Sequence, residues 1–273
     1  MAMARSTASE SQTRFLSALA LAPIALLAVW LGGLVFALVV IAAAVIAFGE
    51  WLAMTGEGHV AWISGGMALA LLLALTAYGG GWIALPLLLV SVAAGLTAGA
   101  LVPRVGWLAL GFLAVGLPSL ALILLREPGT AGLLAIAFLL IVVWSTDIAA
   151  YFGGRRFGGP KLWPRVSPGK TWSGALSGTS AAVLAAALFS AATGAVPLAA
   201  IGLAIVLSVA AQAGDLAESA VKRACGAKDS GRIIPGHGGV LDRVDGLFGA
   251  ATLALLLAAA GLGGGIRVMG AFA

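Results

Sequence analysis

Charge is what this sequence has least of. Only 9% of its 273 residues are Asp, Glu, Lys or Arg, against about a quarter in a soluble domain, and that scarcity excludes an ordinary water-soluble fold. Between Arg14 and Glu50 no side chain is charged, a run long enough for two short bilayer crossings of about 20 residues each. Cysteine is nearly missing too. A lone Cys225 excludes both an internal disulfide and a thiolate metal cluster. There is no internal repeat, linker or composition shift that would mark a separate soluble module. The apolar run after the polar N-terminus is far longer than a signal-peptide core and continues into further runs. The formal net charge of +5 does not call for nucleic acid as a partner, because the basic residues sit in short loops between apolar runs, where the positive-inside bias accounts for them.

What the chain does have is 62% hydrophobic residues, with Ala prominent, which permits close helix packing in lipid. Dividing the apolar runs at charges, glycines and prolines predicts nine spans, near 15–31, 33–51, 60–78, 82–102, 106–125, 130–150, 174–194, 197–214 and 246–264. The fold class expected is therefore an all-α polytopic integral membrane protein of about nine transmembrane helices. Residues 1–14 form a cytoplasmic lead-in, and 15–273 form a single membrane domain whose chemistry lies in the C-terminal half, about 145–246. With the N-terminus inside, all of the 15 Lys and Arg residues except Arg126 and Arg267 fall on the cytoplasmic side, an asymmetry that one span more or fewer would spoil.

Two polar segments are left for chemistry, Ser145–Gly174 and Gln212–Gly246, both on the cytoplasmic side of that topology. Of the ten acidic residues, Glu10, Glu50, Glu57 and Glu127 read as loop or lead-in charges. Asp147 falls inside a predicted span, where an ionised carboxylate is costly unless paired or metal-bound. Asp215 and Glu218 share a helical face at i and i+3, and Asp242 and Asp245 repeat that spacing at the start of the last span. Carboxylates converging at one interface suit a hard cation such as magnesium, completed by substrate phosphate. An ion-pair layer, with Lys222, Arg223 and Arg243 neutralising the acids, is the other reading of the same spacing.

Lys228, Arg232, His237 and Arg243 beside such acids are the groups that phosphoryl chemistry uses to offset charge on phosphorus. In the PGHGG turn, Gly238 and Gly239 let backbone N–H groups approach phosphate oxygens closely. Gly169-Lys170-Thr171 is not a P-loop, since Pro164 stands where the first glycine is required and no strand is expected before it. Ser167, Lys170 and Thr171 precede a span, where they could meet an anion or simply cap the helix. Arg155 and Arg156 could meet a lipid headgroup or only set topology.

From Ser219 to Asp245, through Lys222, Arg223, Lys228, Gly231, Pro235, His237, Gly238, Gly239, Asp242 and Arg243, the sequence resembles the signature of phosphatidate cytidylyltransferases, also called CDP-diacylglycerol synthases. The likeness extends to Gly214-Asp215 with Glu218, to Ser145, Asp147, Ala150 and Tyr151, and to Ser167-Pro168-Gly169-Lys170-Thr171. Many relatives read S-P-K-K-T there with a later glutamate, where this chain has Gly169 and Ser173.

The resemblance implies a membrane enzyme, often a homodimer, that joins CTP to phosphatidate and releases pyrophosphate. It also implies magnesium held by Asp215 and Asp242, with potassium as a second ion. Asp245, Glu218 and Asp147 are further candidate ligands. Lys228 and Arg243 join the two aspartates as catalytic groups. Ser167, Lys170, Thr171, Arg155, Lys222, Arg223, Arg232, His237, Gly238 and Gly239 are candidates for substrate binding. The expected place is the bacterial inner (plasma) membrane, with the site facing the cytoplasm. Two other readings stay open on the residues: a CTP-dependent lipid-alcohol kinase, and a transporter or channel using Asp147 and Asp215 as an ion path.

Overall fold

Where apolar side chains run on for twenty residues in lipid, the backbone can satisfy its own polar groups only by coiling or by closing a barrel. This chain coils. The computed structural model describes residues 22–99, 101–236 and 238–260. Its helices are α1 (Ala22–Leu31), α2 (Gly33–Thr55), α3 (His59–Leu75), α4 (Gly81–Gly99), α5 (Pro103–Gly111), α6 (Leu117–Leu125), α7 (Thr130–Phe157), α8 (Trp172–Thr193), α9 (Pro197–Ala224) and α10 (Leu241–Ala259). Single π turns, Thr76–Gly80 and Phe112–Gly116, lead from α3 to α4 and from α5 to α6.

Each of the nine predicted spans coincides with a helix or with a pair joined by a π turn, although positions 15–21 and 261–264 lie outside the described residues. Among the described residues, six segments are long and apolar enough to cross a membrane: Gly33–Thr55, Ala61–Gly79, Val105–Leu125, Thr130–Phe157, Trp172–Thr193 and Pro197–Ala224. Ala22–Leu31 and Ile83–Gly99 are shorter apolar helices, and α10 opens with Asp242, Arg243 and Asp245 before its apolar part. The protein is an all-α integral membrane protein.

One small sheet was not foreseen. β1 (Lys161–Trp163) pairs antiparallel with β2 (Ser167–Thr171), Lys161 opposite Thr171 and Trp163 opposite Ser167. Strands this short, built partly of Lys, Ser, Pro and Gly, carry almost no pattern of their own, so the stretch reads as loop until its pairing is seen.

Contacts gather into two compact units, one drawn from Met1–Gly116 and Cys225–Val244, the other from Leu117–Ala224 and Asp245–Ala273. In the first, buried Trp51 of α2 donates its Nε1–H to the carbonyl of Trp107 in α5 at 2.9 Å. Phe48 meets Phe112 edge to face at 5.0 Å. These aromatic anchors hold the C-terminal half of α2 in place.

In the second unit the helices approach through small residues. A Cβ on Gly178 of α8 would stand 2.8 Å from the carbonyl oxygen of Thr146 in α7, and one on Gly174 the same distance from that of Ala150. A Cβ on Gly214 of α9 would stand 2.9 Å from the Cα of Gly249 in α10. Thr146 donates to Ser208 of α9 at 2.8 Å, and Gln212 reaches Thr179 at 3.2 Å. Such intramembrane hydrogen bonds average about 0.6 kcal/mol, so each polar pair adds only modestly to the packing of these helices.

Candidate active site

In the first unit, the segment between α9 and α10 folds back on itself. Ile234 N–H donates to the carbonyl of Gly238 at 2.9 Å, closing the PGHGG turn; His237 itself lies outside the described residues. Asp242, in the first turn of α10, accepts from the Ser230 N–H at 3.1 and 3.0 Å and from the Gly239 N–H at 2.8 Å. The carboxylate is thus held by the backbone of its own loop. Gly238 has φ 83, and a Cβ there would stand 2.7 Å from Asp242 Oδ2, so this glycine is needed twice over. The Gly239 amide is engaged by Asp242 in this structure. Lys228, Arg232 and Arg243 line the same segment with exposed side chains.

This segment has a residue that the sequence alone hides. Glu50, read there as a loop charge, lies inside α2 and is 5% exposed. It accepts from Ser230 Oγ at 3.1 Å, Val240 N–H at 2.9 Å and Leu241 N–H at 2.8 Å. Its one local signal is an acid embedded in AFGEWLAM; its partners are 180 or more positions away.

In the second unit, Lys170 at the end of β2 pairs with Asp215 of α9 at 2.6 Å. Ser219 Oγ approaches the other Asp215 oxygen at 3.4 Å. One turn along α9, Glu218 and Lys222 form a second, mostly buried ion pair. Asp245 stands within electrostatic reach of Asp215, Glu218 and Lys222 and accepts the Gly246 N–H at 2.7 Å. The ion-pair reading is therefore realised in part, with Lys170 and Lys222 as the cations.

Other candidates are placed around this cluster. Thr171 is the N-cap of α8, its Oγ1 accepting the Gly174 N–H at 3.1 Å, while Ser167 opens β2, half-buried. Arg223 donates Nε–H to the Val166 carbonyl at 3.3 Å. Arg155 lies over the Tyr151 ring, 5.2 Å from its centroid, and donates to its hydroxyl. Asp147 is on the exposed face of α7, next to buried Thr146.

Among the described residues no group of three or more His, Cys, Asp or Glu side chains is arranged to hold a metal unaided. The donor chemistry nonetheless fits a hard cation. Asp215, Glu218 and Asp245 are three carboxyl groups facing two ammonium groups, Lys170 and Lys222. Magnesium commonly takes one or two carboxylates and completes its shell with substrate phosphate.

Residues 12–260 match the sequence profile of the Cytidylyltransferase family. The chain belongs to this family. It is 45% identical over 270 residues to the phosphatidate cytidylyltransferase of Brucella suis biovar 1, covering 92% of this chain and 94% of that protein. With the phosphatidate cytidylyltransferase of Bacillus subtilis it shares 42% identity over 145 residues, 52% of this chain and 54% of the relative. With that of Haemophilus influenzae it shares 46% over 125 residues, 44% of this chain and 43% of the relative. A cytidylyltransferase must position a nucleotide triphosphate, and the exposed cations Lys228, Arg232 and Arg243 next to the held carboxylate of Asp242 are suited to that task.

Proposed function

We propose that this protein transfers the cytidylyl group of CTP to phosphatidate, forming CDP-diacylglycerol and pyrophosphate for phospholipid synthesis. The observation that carries the reading is the near full-length similarity to phosphatidate cytidylyltransferases. A phosphate oxygen of phosphatidate attacks the α-phosphorus of CTP; the new P–O bond forms as the bond to the β-phosphate bridge breaks, and pyrophosphate leaves with that electron pair. No general base is needed, because the lipid phosphate is already largely anionic near neutral pH.

Asp215 and Asp242 would hold magnesium, with Asp245, Glu218 and Asp147 as further candidate ligands and potassium as a second ion. The metal, when bound, supplies Lewis-acid neutralisation of phosphate charge. Lys228, Arg232 and Arg243 bind the triphosphate and offset charge on the leaving group, with His237, Gly238 and Gly239 as further binding candidates. Lys170 neutralises Asp215 before substrates arrive and turns to the lipid phosphate when they do; Ser167, Thr171, Arg155, Lys222 and Arg223 are the further candidates for binding the substrate's anionic groups. The protein spans the bacterial inner membrane nine times as a homodimer, N-terminus and site on the cytoplasmic side. CTP arrives from water while the acyl chains stay in the leaflet, so the phosphates meet at the interface.

CTP labelled at the α- or the γ-phosphorus tests the reaction. Label from the α position enters the lipid under this reading; label from the γ position in the lipid identifies a CTP-dependent lipid kinase and refutes it.

A further inference from the structure

The sequence offers no reason for a carboxylate at position 50, and the reaction as derived so far makes no use of one. It is nonetheless fully engaged by polar partners. Both oxygens of Glu50 are engaged, one by the Val240 N–H and the other by the Leu241 N–H and the Ser230 hydroxyl. Val240 and Leu241 stand at the start of α10, where helix amides lack partners and a carboxylate is favoured. Ser230 carries the second half of the arrangement: its hydroxyl goes to Glu50 and its N–H to Asp242. Asp242 follows Leu241 directly, so both ends of the carboxylate's cradle are tied to one side chain on α2.

The glycines of the loop are shaped to this carboxylate. A Cβ on Gly231 would stand 2.6 Å from Glu50 Oε1, and one on Gly239 2.6 Å from Glu50 Cδ. Gly239, read in the sequence as a phosphate-binding glycine, and Gly231 of the same signature thereby also make the space into which a buried acid from a distant helix fits. The aromatic anchors of α2, Trp51 and Phe48, flank Glu50 on the chain and fix the helix that presents it.

We propose that Glu50 is a positioning residue for the nucleotide-binding segment: from helix α2 it clamps Ser230, Val240 and Leu241 and so sets the orientation of Asp242 toward the triphosphate of CTP and its cation. The proposal rests on the reading of that segment given above. Glu50 touches no reacting atom and acts only through the loop. It also gives the N-terminal half of the chain a part in the chemistry, since that half supplies the strap for a loop that follows α9.

The test uses full-length protein in detergent carrying Glu50→Gln, which keeps the size of the side chain but turns an amide donor toward groups that are themselves donors. Ser230→Ala is the second variant, removing one of the three bonds. Backbone hydrogen exchange over 228–242 is expected to accelerate about tenfold in Glu50→Gln and less in Ser230→Ala, while α7 and α8 exchange as in the parent. Steady-state kinetics are expected to show the KM for CTP and the magnesium concentration for half-maximal rate raised about 10- to 100-fold, with the KM for phosphatidate unchanged; Glu50→Asp restores part of the loss.

Unchanged exchange in the loop overturns the proposal. So does activity lost only in proportion to the folded fraction, with the KM for CTP unmoved. If Glu50→Gln does not fold, Ser230→Ala decides by the same two measurements. A parent protein without CTP turnover refutes the reaction instead, and the exchange experiment still judges the clamp.

Discussion

The two aspartates placed at the centre of the chemistry are held in opposite ways. Asp242 is gripped by backbone, through the amides of Ser230 and Gly239, in a loop that Glu50 ties to α2. Asp215 is gripped by a side chain, the ammonium group of Lys170, in a cluster where Glu218 and Lys222 pair beside it. A backbone cradle fixes direction and leaves lone pairs for a ligand. An ion pair fixes charge and can be exchanged for another cation. Under the proposed function the difference would assign separate tasks: Asp242 pre-set by its backbone cradle, and Asp215 neutralised by Lys170 until a substrate or metal takes the place of the lysine.

The largest effects should come from removing either acid. Asp215→Ala and Asp242→Ala are each expected to lower CTP turnover on the order of a thousandfold, read as label transferred to lipid. If one of them retains near-parental activity while folded, the pairing of the two aspartates in one reaction fails. Next comes Gly238→Ala, which forces a left-handed residue to carry a Cβ toward Asp242. It should cost about 1–2 kcal/mol of stability and raise the magnesium requirement on the order of tenfold. Thermal unfolding and a metal titration measure the two parts, and an unchanged titration would show that the backbone cradle does not tune the carboxylate.

Lys170→Gln probes the other mode of holding. It should raise the KM for phosphatidate roughly tenfold, by loss of one charge-assisted contact, and lower the magnesium concentration for half-maximal rate, because no ammonium group then competes for Asp215. An unchanged KM for phosphatidate, or a raised magnesium requirement, would contradict the role given to Lys170. The smallest effect belongs to Thr171→Ala, which removes the N-cap of α8. About 1 kcal/mol of stability should be lost, with the KM for phosphatidate raised only slightly, by thermal unfolding beside turnover; an unchanged KM would leave the hydroxyl as a helix cap alone.

Much of this was legible in the sequence because it is written locally. Hydropathy marks the spans, since each must supply its own run of apolar residues. The acids at 215, 218, 242 and 245 stand out by their i, i+3 spacing at the ends of apolar runs, and the resemblance to phosphatidate cytidylyltransferases rests on one nearly continuous stretch. What escaped is non-local. Glu50 is a single acid in an apolar run, and its meaning comes from Ser230, Val240 and Leu241, which no periodicity connects to it. The β1–β2 hairpin is set by pairing across five residues or fewer per strand. Lys170 reads as an anion-binding or positive-inside residue, and only the meeting of β2 with α9 shows it against Asp215. The π turn at Phe112–Gly116 leaves no trace in hydropathy, because a one-residue bulge changes face without changing composition.

The central claim is that the loop-held carboxylate of Asp242 serves cytidylyl transfer to a lipid phosphate. Its most direct test is to incubate the intact protein and Asp242→Ala in detergent with CTP, phosphatidate and magnesium, and to quantify CDP-diacylglycerol together with pyrophosphate. The account predicts that the intact protein forms the two products in equal amounts and that the folded variant forms almost none. An intact, folded protein that forms neither product, or a folded variant with full activity, would contradict it.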